Sequence, residues 1–162
     1  MSTRKNVFIS HHHGDDTQVD RLTRLVGRGD YHLRNSSVRM KPANQRRAEQ
    51  GRIKDDTIKR LLRMKMRWAS TVVVLIGERT HKRPWVNWEI EQAARLGKHI
   101  VGVYLRGGKE ANVPQALNDY GSAIVNWNAE SVISAIEGTS SRFEKPDGAP
   151  RDPVHTIATS RC

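Results

Sequence analysis

The residues Thr71-Val72-Val73-Val74-Leu75-Ile76 form an unbroken apolar run. A strand with one wet face alternates apolar and polar residues, and this one does not. Such a run needs cover on both faces, which is the situation of a parallel strand flanked by helices. Residues 99–105 (His-Ile-Val-Gly-Val-Tyr-Leu) read the same way, and residues 122–127 give a fifth, shorter strand. Residues 6–10 (Asn-Val-Phe-Ile-Ser) are apolar and β-branched and suit a first, central strand. Residues 31–35 alternate and suit a sheet edge.

Helical periodicity fills the gaps between these runs. Val19, Leu22, Leu25 and Val26 make one apolar stripe, closed by Gly27 and Gly29. Ile58, Leu61, Leu62, Met66 and Ala69 make a second, with Asp55 and Asp56 at its start and Lys/Arg at its end, both matched to the helix dipole. Val86, Ile90, Ala93 and Gly97 make a third, opened by Pro84, whose missing N–H costs nothing in a first turn. A short helix opens near Pro114, and Val132, Ile133 and Ile136 face inward from a last one. Five strands alternating with helices predict an α/β fold with a parallel sheet. Right-handed crossovers allow the flavodoxin-like strand order 2-1-3-4-5, a five-stranded sheet inside a three-layer sandwich. In such a sheet a ligand sits beyond the C-terminal strand ends, at the switch point beside the first strand.

The chain has 162 residues, one domain of ordinary size. The reading is a domain over residues 1–138 and a polar tail over 139–162, rich in proline, without apolar period and loosely attached. No apolar run is long enough to span a membrane and none resembles a signal region, so the expected setting is soluble and cytoplasmic, with no membrane partner. The single cysteine, Cys162, excludes a disulfide framework and a cysteine metal site.

The net charge is +11. Residues 34–67 hold twelve Lys/Arg against three Asp/Glu, which concentrates most of it. A basic patch of this kind suits phosphates, nucleic acid or an acidic protein, and equally a solvated helix face beside a basic loop. Aromatic residues are only 6% and none falls in the basic loop of residues 36–50, which argues against a nucleic-acid stacking platform.

Several chemistries fail on their motifs. His11, His12 and His13 are adjacent, so they point in different directions; no HExxH or Cys/His cluster supplies further ligands, and a metal is not expected. A phosphorylation receiver needs an Asp after strand three, where Gly77-Glu78 stands. Neither GxxxxGK[ST] nor GxGxxG follows a strand, and there is no GxSxG. Glu89, one turn after Trp85 on the margin of a buried stripe, remains: a carboxylate there either bends out to solvent, meets an arginine or does chemistry.

Phe8-Ile9-Ser10-His11-His12-His13-Gly14-Asp15 resembles the opening signature of TIR domains, roughly F-I-S-Y-S-x-x-D, and Trp85-Val86-Asn87-Trp88-Glu89 resembles their W-x-x-x-E element. Order and spacing agree over residues 5–138. Within the family the resemblance is to the TIR-like proteins of bacterial Thoeris antiviral defence, the ThsB type. His11 and His12 depart from the usual Tyr-Ser, and Pro84 from the frequent Ser. The resemblance implies an NAD-consuming enzyme that breaks the nicotinamide–ribose bond and makes a cyclic or conjugated ADP-ribose signal for a separate effector. It implies Glu89 as the catalytic residue and Ser10, His11, His12 and Trp85 around the substrate, Trp85 chiefly as support. NAD is then the substrate, and no cofactor is implied. The loop of residues 36–50 would be the BB loop, through which domains of this family self-associate. Two other readings stay open: an inactive TIR interaction module, and a basic nucleic-acid-binding protein.

Overall fold

The computed structural model describes residues 3–11, 16–27, 31–35, 55–78, 80–82, 84–139 and 142–150. Five parallel strands form one sheet: β1 (Thr3–Ser10), β2 (Tyr31–Asn35), β3 (Thr71–Ile76), β4 (His99–Tyr104) and β5 (Ala123–Val125). Their spatial order is β2-β1-β3-β4-β5. The helices are α1 (Asp16–Gly27), α2 (Asp55–Trp68), α3 (Pro84–Arg95), α4 (Gln115–Tyr120) and α5 (Ala129–Glu137).

Alternation along the strands divides the core into two. Phe8, Val72, Val74, Ile76 and Ile100 meet α2, α3 and α4 through Met66, Val86, Ile90, Ala93 and Leu117. Val7, Ile9, Val73, Leu75, Val101 and Val103 meet α1 and α5 through Val19, Leu22, Val26, Val132 and Ile136. Every residue of β3 is buried, as an apolar run without alternation requires. Burial of this kind contributes roughly 25 cal/mol per Å² of apolar surface, so these two layers supply most of the driving force. Gly102 on β4 admits α4: a Cβ there would stand 2.6 Å from Leu117 Cδ2.

Four details differ from the sequence expectations. Gly97 does not continue the stripe of α3 but ends the helix, exposed and with φ +69, a left-handed conformation that suits a residue without a Cβ. Leu61 on α2 is 38% exposed, while Leu62 and Met66 are buried; a stripe one residue wide meets the sheet at this point. The connector after β3 holds a short 3₁₀ turn, Thr80–Lys82, which has no apolar signal. The fourth is the chain after α5, expected to hang loosely. Residues 142–144 run along β5, where the Ile124 N–H donates to Arg142 O at 3.0 Å and the Glu144 N–H to Ile124 O at 2.7 Å. Phe143 packs against the α3/α4 side of the core, and buried Glu144 accepts the Asn126 N–H at 3.1 Å. Residues 151–162 and the loop of residues 36–50 lie outside the described residues.

Candidate functional site

β1 puts Phe8 and Ser10 on the face covered by α2–α4, since side chains two apart share a face. Ser10 is the last strand residue, beside Val74 of β3, and it is 1% exposed. The chain leaves β1 in one direction to β2 and reaches β3 on the other side, so Ser10 marks the switch point of the sheet.

α3 covers that point. Val86, Ile90 and Ala93 fix its buried stripe, and Glu89 lies next to Ile90 on the same helical side. The Glu89 side chain is buried, at 8% exposure. Ser10 Oγ donates to Glu89 Oε1 at 3.2 Å, joining residues 79 apart in sequence. No arginine is recorded on this carboxylate among the described residues. Burial pushes the Glu89 carboxyl from 4.5 up to about 8, and the Ser10 hydrogen bond, the smaller of the two effects, pulls the other way. A carboxyl near neutral pH that ionises when a cation arrives can act as an electrostatic stabiliser or exchange a proton.

The flank of α3 is aromatic and basic. Trp85 and Trp88 meet edge to face, with centroids 5.6 Å apart. Lys59 Nζ and the Arg63 guanidinium from α2 lie 5.7 and 5.5 Å from the Trp88 ring centre, within cation–π range. Arg63 Nε donates to Gln92 Oε1 at 3.2 Å, and Gln92 is buried one turn beyond Glu89. The Asn87 side chain accepts the Ala116 N–H at 3.1 Å, tying α3 to the start of α4. Sequence reasoning did not single out Trp88, Gln92, Arg63 or Asn87.

The start of α3 is held from behind. Thr80 Oγ1 accepts the Gly77 N–H at 2.7 Å and donates to Leu75 O at 3.1 Å. Asn112 donates to Glu78 O at 3.0 Å. These three bonds anchor the connector that aims α3, and so Glu89, over the switch point.

Of the expected site residues, the structure brings Ser10 and Glu89 into contact. His11 follows at the strand end, half-buried, with Nδ1 3.1 Å from Ile9 O. Trp85 is half-buried and packs on the core. His12 and His13 lie outside the described residues. Among the described residues no three His, Cys, Asp or Glu side chains gather as a metal would need, and no helix is long and apolar enough to cross a membrane.

Comparison with known proteins places this geometry in a family. No curated protein sequence matches the chain. Among solved structures, the chain is similar to the TIR domains of the activated Roq1 resistosome recognising the effector XopQ, at 17% identity and TM-score 0.39. That match covers 62% of this chain, which spans only 57% of the Roq1 chain. It is also similar to the Clostridium botulinum CMP N-glycosidase BcmB, at 13% identity and TM-score 0.46, over 82% of this chain and 98% of that one. The family model for the TIR-like domain of the Thoeris protein ThsB matches residues 8–110, a span that begins two residues before Ser10 and includes Glu89. The chain belongs to the Thoeris ThsB TIR-like domain family.

Proposed function

We propose that this protein is an antiviral-defence enzyme that cleaves NAD at the nicotinamide–ribose bond and turns the ADP-ribose part into a cyclic or conjugated signal for a separate effector. The observation that carries the reading is the buried Glu89 carboxyl, held by Ser10 at the switch point of the sheet.

The nicotinamide ring is cationic. When its bond to ribose breaks, the electron pair leaves with the ring and neutralises it, so the leaving group needs no proton. Positive charge then develops on the ribose, as in glycoside cleavage. Glu89, having lost its proton to solvent as that cation approached, stabilises the charge as a carboxylate. The vacated carbon is attacked by water or by a hydroxyl of the same or another molecule, whose proton passes to the Glu89 carboxylate or to solvent. Ser10 orients the carboxylate, and His11, at the strand end, and His12 bind the substrate. Trp85 supports the helix turn that carries Glu89. NAD serves as substrate and no cofactor is required. Self-association through the loop of residues 36–50 would complete neighbouring sites, in a soluble, cytoplasmic setting.

The test is release of free nicotinamide from NAD by the purified protein, with phage-infected cell extract supplied as the activating condition. Nicotinamide and an ADP-ribose product that switches on the effector support the reading; intact NAD under that condition overturns it.

A second reading is favoured by one observation. Leu61, Met64 and Trp68 follow one another along α2 at 38%, 59% and 48% exposure, an apolar stripe suited to an interaction module without activity. That reading predicts intact NAD together with partner-dependent burial of α2.

A further inference from the structure

A cleft opens on the other side of the sheet, away from Glu89. It lies at the C-terminal ends of β4 and β5 and encloses about 410 Å³. Arg21 on α1, Arg106 after β4 and Trp127 after β5 line it, with the turn of Gly107 and Gly108 as its floor. Arg21 and Trp127 also line an adjoining hollow of about 230 Å³, to which Arg24 contributes. The two hollows therefore form one groove between α1 and the end of β5.

The chemistry of the lining is specific. Arg21 and Arg24 stand three apart on α1, so they share a side of the helix. Both are exposed, as is Arg106. Among the described residues none of the three guanidinium groups has a carboxylate or hydrogen-bond partner. Trp127 is half-buried, its body anchored on the core between α1 and α5. An anchored indole offers a π surface at little entropic cost, and free guanidinium groups pair with phosphate oxygens in two-pronged fashion. Glu78 approaches Gly107 from the β3 side, with Oε1 3.4 Å from where a Cβ would stand. Phosphates are therefore assigned to the α1 side of the groove.

We propose that this groove binds a nucleoside phosphate, with its base on Trp127 and its phosphates on Arg21, Arg24 and Arg106. The size suits a small molecule rather than a strand of nucleic acid or a folded partner. A single aromatic side chain provides for one base. The site lies against α1, whereas Glu89 lies under α3, so the two can be occupied independently. The proposal stands whether or not the protein cleaves NAD.

The probe is ADP, titrated into the ¹⁵N-labelled full chain while the four indole N–H resonances are followed. Trp127→Phe assigns the Trp127 signal, and thermal melts check that each variant folds. ADP should move the Trp127 resonance. Arg21→Ala and Arg106→Ala should each weaken binding about tenfold, the usual scale for one lost charge-assisted bond. Glu91→Gln, on the exposed side of α3, should leave ADP affinity within about twofold, since Glu91 is not part of the groove. Adenosine and inorganic pyrophosphate should each bind much more weakly than ADP. An unmoved Trp127 signal overturns the proposal. So does ADP affinity unchanged in both arginine variants, or pyrophosphate binding as tightly as ADP, which would mark a simple anion site.

Discussion

The Ser10–Glu89 contact and the Trp127 groove, both at the C-terminal edge of the sheet, treat charge in opposite ways. Under α3 a single carboxyl is buried with one hydroxyl partner, and its ionisation is displaced to about 8. Between α1 and the end of β5, three arginines stay in water around a half-buried indole. A buried charge is costly, so it is worth keeping only where an arriving cation repays the desolvation. An exposed charge is cheap and serves recognition, with field strength cut by solvent. On the functions proposed above, the Glu89 site serves chemistry on a cation and the Trp127 groove holds an anion. Substitutions in the first should therefore change rates and pH profiles, and those in the second affinities.

The largest effect is expected from Glu89→Gln, which keeps the shape and removes the charge. Nicotinamide release should fall by about 10²–10³, the scale for one preorganised electrostatic group. Stability should move the other way. A carboxyl raised from 4.5 to about 8 on folding stabilises the protein fully below pH 4.5 and loses that contribution as pH rises through about 8. At pH 9 the variant should be more stable than the parent by roughly 3–5 kcal/mol, on the order of 10 °C in melting temperature; at pH 4 the two should melt together. Loss of activity with lower stability at pH 9 would mark Glu89 as a packing residue.

The pH profile comes next in size. If the ionised form is the active one, kcat/KM for NAD should rise about 50-fold between pH 6 and pH 8 and level off above, because this quantity reports ionisation of the free protein. A profile flat across that range would mean that the carboxyl does not take part. Ser10→Ala should have a smaller effect. The hydroxyl favours the ionised carboxyl, so its loss should shift the profile to higher pH and lower the rate at pH 7 about tenfold, with full recovery toward pH 9.5. A tenfold loss that persists at high pH would place Ser10 on the substrate instead.

Much of the Ser10–Glu89 site was legible in the sequence, and the reasons are local. The apolar run of residues 71–76 required cover on both faces, and the spacing of Val86, Ile90 and Ala93 fixed which side of α3 faces the sheet. Glu89 then fell on the margin of that stripe by arithmetic. Its contact with Ser10 needed the sheet order as well, because 79 residues separate them. What was not legible depends on long side chains or on backbone alone. Arg63 reaches Gln92 and Trp88 through flexible bonds that no spacing encodes. Residues 142–144 pair with β5 through main-chain groups, so the polar sequence around them gave no warning. The groove around Trp127 draws on α1 and two strand ends, and no single stretch of sequence contains it.

The smallest expected effect is the one that most sharpens the comparison. Glu91 lies two residues beyond Glu89, about 200° further around α3. It is exposed, where Glu89 is buried. A carboxylate in water contributes little field at a distance and little stability. Glu91→Gln removes the same charge from the same helix, yet it should change nicotinamide release by less than about twofold and melting by less than about 2 °C at any pH between 5 and 9. Measured beside Glu89→Gln, it separates burial from mere charge as the source of the effect. Equal losses of activity in the two variants, with both folded, would show that α3 needs its total negative charge and that the Ser10–Glu89 site is not the reacting centre.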